Sequence, residues 1–515
     1  MPRSVMEHSF SEVPRVDIPR SSFNRSHGHK TTFDADRLIP IIVDDIVPGD
    51  TFNVDCHFYA RLLSPSVFPI MDNMFMETFF FFVPYRLVWD NWERFHGAQD
   101  QPSSSIDFTI PAAIVPGGGF AVGGIMDYLG IPPGVQPANQ ISALPYRACR
   151  LIFDEWFRDQ NLVSKWNLAT GDAATAISDT ADVRAKRHDY FTSCLPWPQK
   201  GDAVDLPLGT SAPVLPVATE HTTGAYANAL SFREIVAGAF PTATHEMTFA
   251  ANGLVSDNNT AGVVHASRRY YPSNLEADLS GATAATINDL RLAFQTQRLL
   301  ERDARSGTRY NEMILAHFGV TVPDFRVQRP EFLGGGSSPI NMTPVAQTTY
   351  QGTQTLEDAK GALSAFGTAS GRHGFTKSFT EHGILLGFVN VRSDITYHQG
   401  IERYHFKDTR YDFYYPVLAQ IGEQAVLNQE IYVDGSANDS LVFGYQERYA
   451  EMRYKPSQLS GLLRSAAAGT LEAWHLAEDF ASLPTLGNTF INSNTGVPLD
   501  RAISVPSQPH FIADF

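Results

Sequence analysis

The sequence predicts a mainly β protein with helical and loop insertions. Strand-like runs lie near both ends of the 515-residue chain, and helices and long loops lie between them. The chain contains 35 phenylalanines, 38 glycines and 32 prolines. Aromatic residues favour strands, whereas glycine and proline favour turns. This composition therefore indicates strands joined by long ordered loops.

The N-terminal segment, residues 1–32, is polar and interrupted by prolines, so we expect an extended arm without a core of its own. Arms of this kind bind nucleic acid or a neighbouring subunit, and the sequence does not choose between them. The segment lacks the apolar stretch of a signal peptide, so we expect folding in the cytoplasm. Its candidate contacts with DNA or internal protein are Arg3, Arg15, Arg20, Arg25 and Lys30.

Three strand-like runs follow the arm: RLIPIIVDDIV, TFNVDCHFYARLL and MFMETFFFFV. The third contains four consecutive phenylalanines, residues 79–82. Successive side chains of a strand point to opposite faces, so Phe79 and Phe81 leave one side while Phe80 and Phe82 leave the other. We predict that one face lies in the core of a sandwich and that the other is covered by the chain's own helices or by an adjacent subunit.

The middle of the chain predicts two helices and one large insertion. The helical patterns are PYRACRLIFDEWFRDQ and INDLRLAFQTQRLLERDAR, the latter at residues 287–305. Residues 200–284 are rich in Ala, Thr, Gly and Asn and poor in charge, which indicates an insertion in a single domain over 33–515. The stretch GGGSSP, residues 334–339, has the composition of a linker.

Strand signals resume in the last third of the chain. They occur in HGILLGFVNVRSDITYH, RYDFYYPVL, SLVFGYQERYAEMRYKP and SQPHFIADF. In the third run, aromatic rings beside cations suit the stacking of single-stranded bases. Glu447 and Glu451 interrupt its cationic row, however, and favour cross-strand ion pairs. With strands at both ends, the sheet must close across a long sequence separation.

The helix at 287–305 carries a stripe of arginines that is a candidate contact with DNA or an internal protein. At 3.6 residues per turn the four lie within one stripe, with Leu292, Ala293, Leu299 and Leu300 on the other side. Each guanidinium can bind a phosphate through two hydrogen bonds. The alternatives are a solvated helix face and a strip of salt bridges between subunits. The four are Arg291, Arg298, Arg302 and Arg305.

No motif points to an enzyme, a metal or a cofactor. The chain has no nucleophile elbow, zinc-protease helix, phosphate loop or dinucleotide fingerprint, and no histidine has a ligand spacing with a cysteine. The three cysteines, Cys56, Cys149 and Cys194, are far apart and indicate buried thiols. The net charge of −16 argues against general binding of nucleic acid.

Several long stretches resemble the major capsid protein of gokushoviruses, small tailless bacteriophages of the Microviridae with circular single-stranded DNA. They include IPRSSFNRSHGHKTTFDADRLIP, FPIMDNMFMETFFFFVPYRLVWDNW, HGILLGFVNVRSDITYHQGIERY, RYDFYYPVLAQIGEQAVLNQEIY and VFGYQERYAEMRYKPSQLSGLLRS. The resemblance runs from the first residues to the last and weakens mainly in 200–284.

The resemblance implies an eight-stranded antiparallel jelly roll of the viral capsid type, sixty copies of which form a T=1 icosahedral shell. It also implies a scaffolding protein, a DNA-pilot protein and a small basic DNA-binding protein as partners. The expected location is the virion, after assembly in the cytoplasm of the host bacterium. Residues 200–284 are where we expect the protrusion at the threefold axes that contacts a host surface receptor.

Two other classes of protein remain as alternatives. Aromatic-rich jelly rolls also bind or cleave carbohydrate, and a cleaving enzyme needs a pair of carboxyl groups across a cleft. The sequence nominates no such pair. A regulatory DNA-binding protein is opposed by the acidic charge and by the lack of a DNA-reading module.

Overall fold

Two antiparallel sheets carry the fold. The computed structural model describes residues 19–204, 287–349, 360–419 and 421–515 and, between 205 and 286, short strands. The chain divides into two units, the larger formed by Met1–Pro198 with Gly307–Phe515 and the smaller by Gln199–Ser306. Both sheets belong to the larger unit.

We number the strands of the two sheets β1 to β9 along the chain. Their bounds are β1 Lys30–Phe33, β2 Ile39–Ile46, β3 Thr51–Leu62, β4 Met74–Pro84, β5 Glu331–Pro339, β6 Asn341–Ala346, β7 Leu363–Ser378, β8 Gly383–Ser393 and β9 Phe511–Asp514. The five-stranded sheet has the order β1-β9-β3-β7-β6, and the four-stranded sheet has the order β5-β4-β8-β2. Every neighbouring pair in both sheets is antiparallel.

The remaining described strands are short. In the larger unit Ala113–Ile114 pairs with Thr175–Ala176, and Glu423–Leu427 pairs with Val442–Glu447. In the smaller unit the pairs are Val214–Pro216 with Leu275–Ala277, Phe232–Ile235 with both Arg269–Pro272 and Thr244–His245, and Met247–Phe249 with Val255–Asp257.

Helices occupy the insertions between strands. The α-helices of the described residues are α1 Trp92–Phe95, α2 Ile125–Tyr128, α3 Leu144–Ile152, α4 Ile287–Arg305, α5 Tyr310–Phe318, α6 Asp324–Val327, α7 Asn428–Ile431, α8 Asn488–Ile491 and α9 Gly496–Ala502. A π-helical turn, Phe153–Phe157, extends α3. The 3-10 turns are Tyr85–Leu87, Arg403–Phe406, Arg410–Asp412, Pro416–Leu418, Ala437–Ser440, Ala450–Met452, Gly461–Leu463 and Glu472–Trp474. The prediction of a mainly β chain with helical insertions is confirmed.

The main core lies between the two sheets. Side chains from β3 of the five-stranded sheet, such as Phe58 and Leu62, share one buried cluster with Met76, Phe80 and Val389 of the four-stranded sheet. A second buried cluster lies on the other face of the four-stranded sheet, where β4 and β8 pack against α3 and the loops around it. The two central strands of this sheet, β4 and β8, are therefore buried on both faces.

The phenylalanine run lies in β4, and its two faces have different partners. Phe80 packs towards the five-stranded sheet, with its ring centroid 5.5 Å from that of Phe375. Phe81 packs towards the π-helical turn, with its ring 5.4 Å from Trp156 and 5.8 Å from Phe157. The prediction that one face lies in the sandwich core and the other is covered by the chain's own helices is confirmed.

The stretch GGGSSP is a strand instead of a linker. Residues 334–339 form most of β5, which pairs with the phenylalanines of β4. A Cβ on Gly335 would lie 2.3 Å from the carbonyl oxygen of Thr78, and one on Gly336 would collide with the ring of His373. The glycines serve close packing, which is a known use of glycine inside a strand.

Two runs near the C-terminus differ from the predicted strands: one contains no strand, and the other is a strand only over Val442–Glu447. The run RYDFYYPVL contains two 3-10 turns, Arg410–Asp412 and Pro416–Leu418. The run that ends in RYKP leaves the sheet at Glu447, because Tyr449 takes a left-handed backbone conformation with φ of 64°. β-propensity from aromatic residues was misleading here, since these side chains are not packed against a second sheet layer.

The arm and the insertion lie largely outside the described residues. Of the arm, residues 19–29 have no regular structure and Lys30 begins β1. Residues 200–284 fall in the smaller unit, where the structure describes mainly short strands. The assignment of 200–284 as a surface insertion stays a prediction.

Candidate shell and genome-contact surfaces

A buried ionic cluster links the four-stranded sheet to residues 184–187. Glu77 of β4 accepts hydrogen bonds from Arg187 and from Arg392 of β8, each at 2.9 Å, and it also pairs with Arg184. Burial alone would raise the pKa of Glu77, but Arg184 and Arg392 lower that pKa to about 2. The carboxylate therefore stays charged and links β4, β8 and residues 184–187.

Two buried arginines of α3 organise the loops beside the sheet. Arg147 donates to the carbonyl oxygens of Val88, Gly171 and Ala173, at 3.0 Å in each case. Arg150 donates to the carbonyl oxygens of residues 178 and 180 and forms an ion pair of 2.5 Å with Asp182. Sequence reasoning missed this role. The available signal was two arginines three residues apart on an otherwise apolar helix face.

The described cations of the arm contact other residues of the same chain. Arg20 donates to the carbonyl oxygen of Gly49, and Arg25 forms an ion pair of 2.7 Å with Asp44 of β2. Lys30 lies in β1, and its Nζ is 3.9 Å from the carboxylate of Asp514 in β9. Arg3 and Arg15 lie outside the described residues. A role of any of the five in binding DNA stays a prediction.

The arginine stripe of α4 is exposed. The helix has the bounds that the sequence predicts, and Arg291, Arg298, Arg302 and Arg305 all lie on its exposed side. The apolar side of the helix that the sequence predicts is only partly buried, because Leu292 and Leu299 are exposed as well. Ala304 is the one buried described residue of the helix. Contact of the stripe with DNA stays a prediction.

The described residues offer no metal site, and the thiols are shielded. No group of three or more His, Cys, Asp and Glu side chains in this part of the chain is arranged to hold an ion. Cys56, Cys149 and Cys194 are free and buried. Burial raises the pKa of Cys56 to about 11 and raises the pKa of the other two further, so none is a reactive thiolate at neutral pH. None of the described helices has the length and hydropathy needed to cross a bilayer.

Comparisons with known proteins identify the family of this chain. The model of the family described as Capsid protein (F protein), a phage family, matches residues 11–515. The chain belongs to this capsid protein family. The match covers far more than half of the sequence, and it includes both sheets, the arginine stripe of α4 and the part of the arm that follows residue 10.

Three curated relatives sharpen the assignment, and each carries the name Capsid protein VP1. The relative from Bdellovibrio phage phiMH2K is 47% identical and the match covers 99% of this chain and 94% of the relative. The relative from Chlamydia phage 1 is 41% identical, with 99% and 95% covered. The relative from Spiroplasma virus 4 is 36% identical, with 99% and 94% covered. The prediction of a gokushovirus-type major capsid protein, and hence a virion component, is confirmed.

Proposed function

We propose that sixty copies of this capsid protein form a T=1 icosahedral shell around a circular single-stranded DNA genome. Membership of the phage capsid protein family over residues 11–515 is the observation that carries this proposal. We assign the chain a structural role without catalysis. The buried ion-pair cluster and the doubly covered sheet suit a subunit that must keep one shape at many repeated contacts.

The strand pairing supports an eight-stranded jelly roll. Strand β6 forms a hairpin with β7 at the edge of the five-stranded sheet. Without β6, the remaining eight strands pair in nested order: first with last, second with seventh, third with sixth and fourth with fifth. Two sheets built from nested hairpins are what a jelly roll of the capsid type requires. In this proposal β6 is an addition to the eight.

The acidic net charge of the chain fits a particle in which a different protein neutralises most of the DNA phosphates. With a net charge of −16, the subunit does not neutralise DNA phosphates by itself. We therefore propose that a small basic DNA-binding protein supplies most of the counter-charge, and that scaffolding and DNA-pilot proteins take part in assembly in the host cytoplasm. The exposed stripe of α4 and the arm would add local contacts with the genome or with internal proteins.

The proposal is tested by sedimentation and electron microscopy of material from phage-producing cells, with nuclease-protected DNA assayed in the same fractions. We expect uniform spherical particles of sixty subunits that protect single-stranded DNA. Soluble monomers without protected DNA would contradict the proposal and would bring the carbohydrate-binding alternative forward.

The arginine stripe has its own test. Arg298→Gln with Arg302→Gln should lower the protected DNA per particle several-fold without preventing folding, because two phosphate contacts per subunit are removed. Arg94→Gln with Arg326→Gln is the matched control, since both of these arginines are also exposed and lie outside α4. Equal DNA content in both double variants would rule out the stripe as a genome contact.

The host-facing role is assigned to residues 200–284, as a protrusion at the threefold axes. Their small residues and low charge support a projecting loop. Phage that carry the corresponding residues of a relative should adsorb to the host of that relative. Unchanged adsorption would show that recognition lies elsewhere on the particle.

A further inference from the structure

One surface segment of the larger unit is aromatic yet uncovered. Residues 401–419, which we call the tyrosine segment, contain no buried residue, and the structure describes all of them. Five aromatic side chains in it are 40 to 59% exposed, and Val417 is 85% exposed. The five are Tyr404, Tyr411, Phe413, Tyr414 and Tyr415. Exposed apolar patches of this kind mark interaction sites.

The tyrosine segment is held in place although its rings point outward. Thr409 donates from its backbone N–H and from its hydroxyl to the carboxylate of Asp412, both at 2.7 Å. Tyr449 donates from its hydroxyl to the carbonyl oxygen of Tyr411 at 3.1 Å, and Arg448 donates to the same oxygen at 3.2 Å. These contacts fix the backbone, so a partner would meet a preorganised surface, which lowers the entropy cost of binding.

A shallow cleft lies within the segment. The guanidinium of Arg410 stands 5.7 Å from the ring centres of Tyr411 and Tyr415. Together with Pro416, Val417 and Leu418 these residues line a cleft of about 210 Å³. That volume admits an apolar side chain from a partner, and tyrosine and arginine are the residues that most often dominate the energy of protein interfaces.

We propose that the tyrosine segment is a contact between subunits and that its occupant is a second copy of this chain. The inference rests on the proposed function, because a shell forms only where copies meet. Five half-exposed aromatic side chains offer on the order of 500 Å² of surface. A standard interface buries roughly 800 Å² on each partner, so the segment supplies a large part of one.

Charge favours a second copy as the occupant. Copies of a chain with a net charge of −16 repel one another, so they approach best where the local charge is balanced. The tyrosine segment is such a place, because it holds three basic and three acidic residues. They are Arg403, Lys407 and Arg410 with Glu402, Asp408 and Asp412.

The first test places a charge on the apolar tip. Val417→Asp should lower particle yield at least tenfold, because the contact would bury an unpaired carboxylate, whereas the subunit should fold as before. Val122→Asp is the matched control: Val122 is 83% exposed, close to the 85% of Val417, and lies in the glycine-rich stretch VPGGGFAVGG, residues 115–124. Normal particle yield of the Val417→Asp variant would overturn the proposal.

The second test identifies the occupant. A photoactivated benzoylphenylalanine replaces Val417 in one preparation of particles and Val122 in another, and cross-linked products are analysed by mass. We expect covalent dimers of this chain several-fold in excess at position 417. Cross-links from that position to DNA or to another phage protein alone, or a dimer yield equal to that at position 122, would overturn the proposal. Failure of the unmodified chain to form particles would instead contradict the proposed function.

Discussion

The two sheets of the larger unit differ in how many of their faces are buried. The four-stranded sheet has the main core on one side and α3 with its loops on the other, and all eleven residues of β8 are buried. In β3 of the five-stranded sheet, exposed residues alternate with partly or fully buried ones. A strand covered on both faces reads as a continuous apolar run, and a strand covered on one face alternates. The contrast explains FFFFV in β4 beside TFNVDCHFYARL in β3.

The largest expected effect is on the free energy of unfolding, which should respond differently to substitutions in the two sheets. Phe80→Ala and Phe81→Ala should each lower the free energy of unfolding by about 3–5 kcal/mol, because each leaves a cavity in a packed cluster. Tyr59→Ala, on the exposed face of β3, should change it by less than about 1 kcal/mol. Urea unfolding of the unassembled chain measures all three. If Phe81→Ala lowers the free energy of unfolding no more than Tyr59→Ala does, then α3 and the π-helical turn do not bury β4.

Ion pairs should show the same contrast between the sheets. Glu77→Gln removes the carboxylate shared by three arginines in the four-stranded sheet, and breaking a buried pair costs about 3–5 kcal/mol. Asp55→Asn, which breaks the exposed pair with Arg372, should change stability little. Equal losses in the two variants, measured by urea unfolding, would mean that the Glu77 cluster is solvated.

The Glu77 cluster also predicts a response to acid. The pKa of Glu77 is lowered to about 2 in the folded chain, so its stabilising effect is present at neutral pH and is lost as the pH falls towards 2. The Glu77→Gln variant should lack this part of the acid response. Parallel loss of stability in the variant and the wild type between pH 4 and pH 2 would contradict the assignment.

The smallest expected effect concerns Asp154, in the π-helical turn that packs on β4. The side chain of Asp154 is 1% exposed and accepts a hydrogen bond of 3.1 Å from the backbone N–H of Trp166. Burial raises the pKa of Asp154 to about 6. The folded chain therefore holds this proton more tightly than the unfolded chain, and stability should fall by about 2–3 kcal/mol as the pH rises from 4 to above 6. Asp154→Asn should reduce this loss of stability at higher pH. If the urea midpoint of the variant depends on pH as that of the wild type does, the assignment to Asp154 is contradicted.

Part of the candidate surfaces was readable from the sequence. The helix of the arginine stripe has the predicted bounds, and the exposure of its four arginines follows from helical periodicity. The exposure of Leu292 and Leu299 does not follow, because it depends on which strip of the helix meets a neighbouring element. Similarly, the roles of Arg147 and Arg150 depend on carbonyl groups brought to α3 by loops up to 59 residues away.

The class of the fold, the double burial of the phenylalanine run and the family could all be predicted from the sequence, because periodicity and long matching stretches are local properties of the chain. The sequence does not show that GGGSSP is a strand or that RYDFYYPVL forms 3-10 turns with exposed rings; both are seen in the folded chain. Both outcomes depend on distant neighbours. Glycines enter β5 because β4 and β7 leave no room for a Cβ, and the aromatic run stays out of a sheet because no second layer covers it within the described subunit.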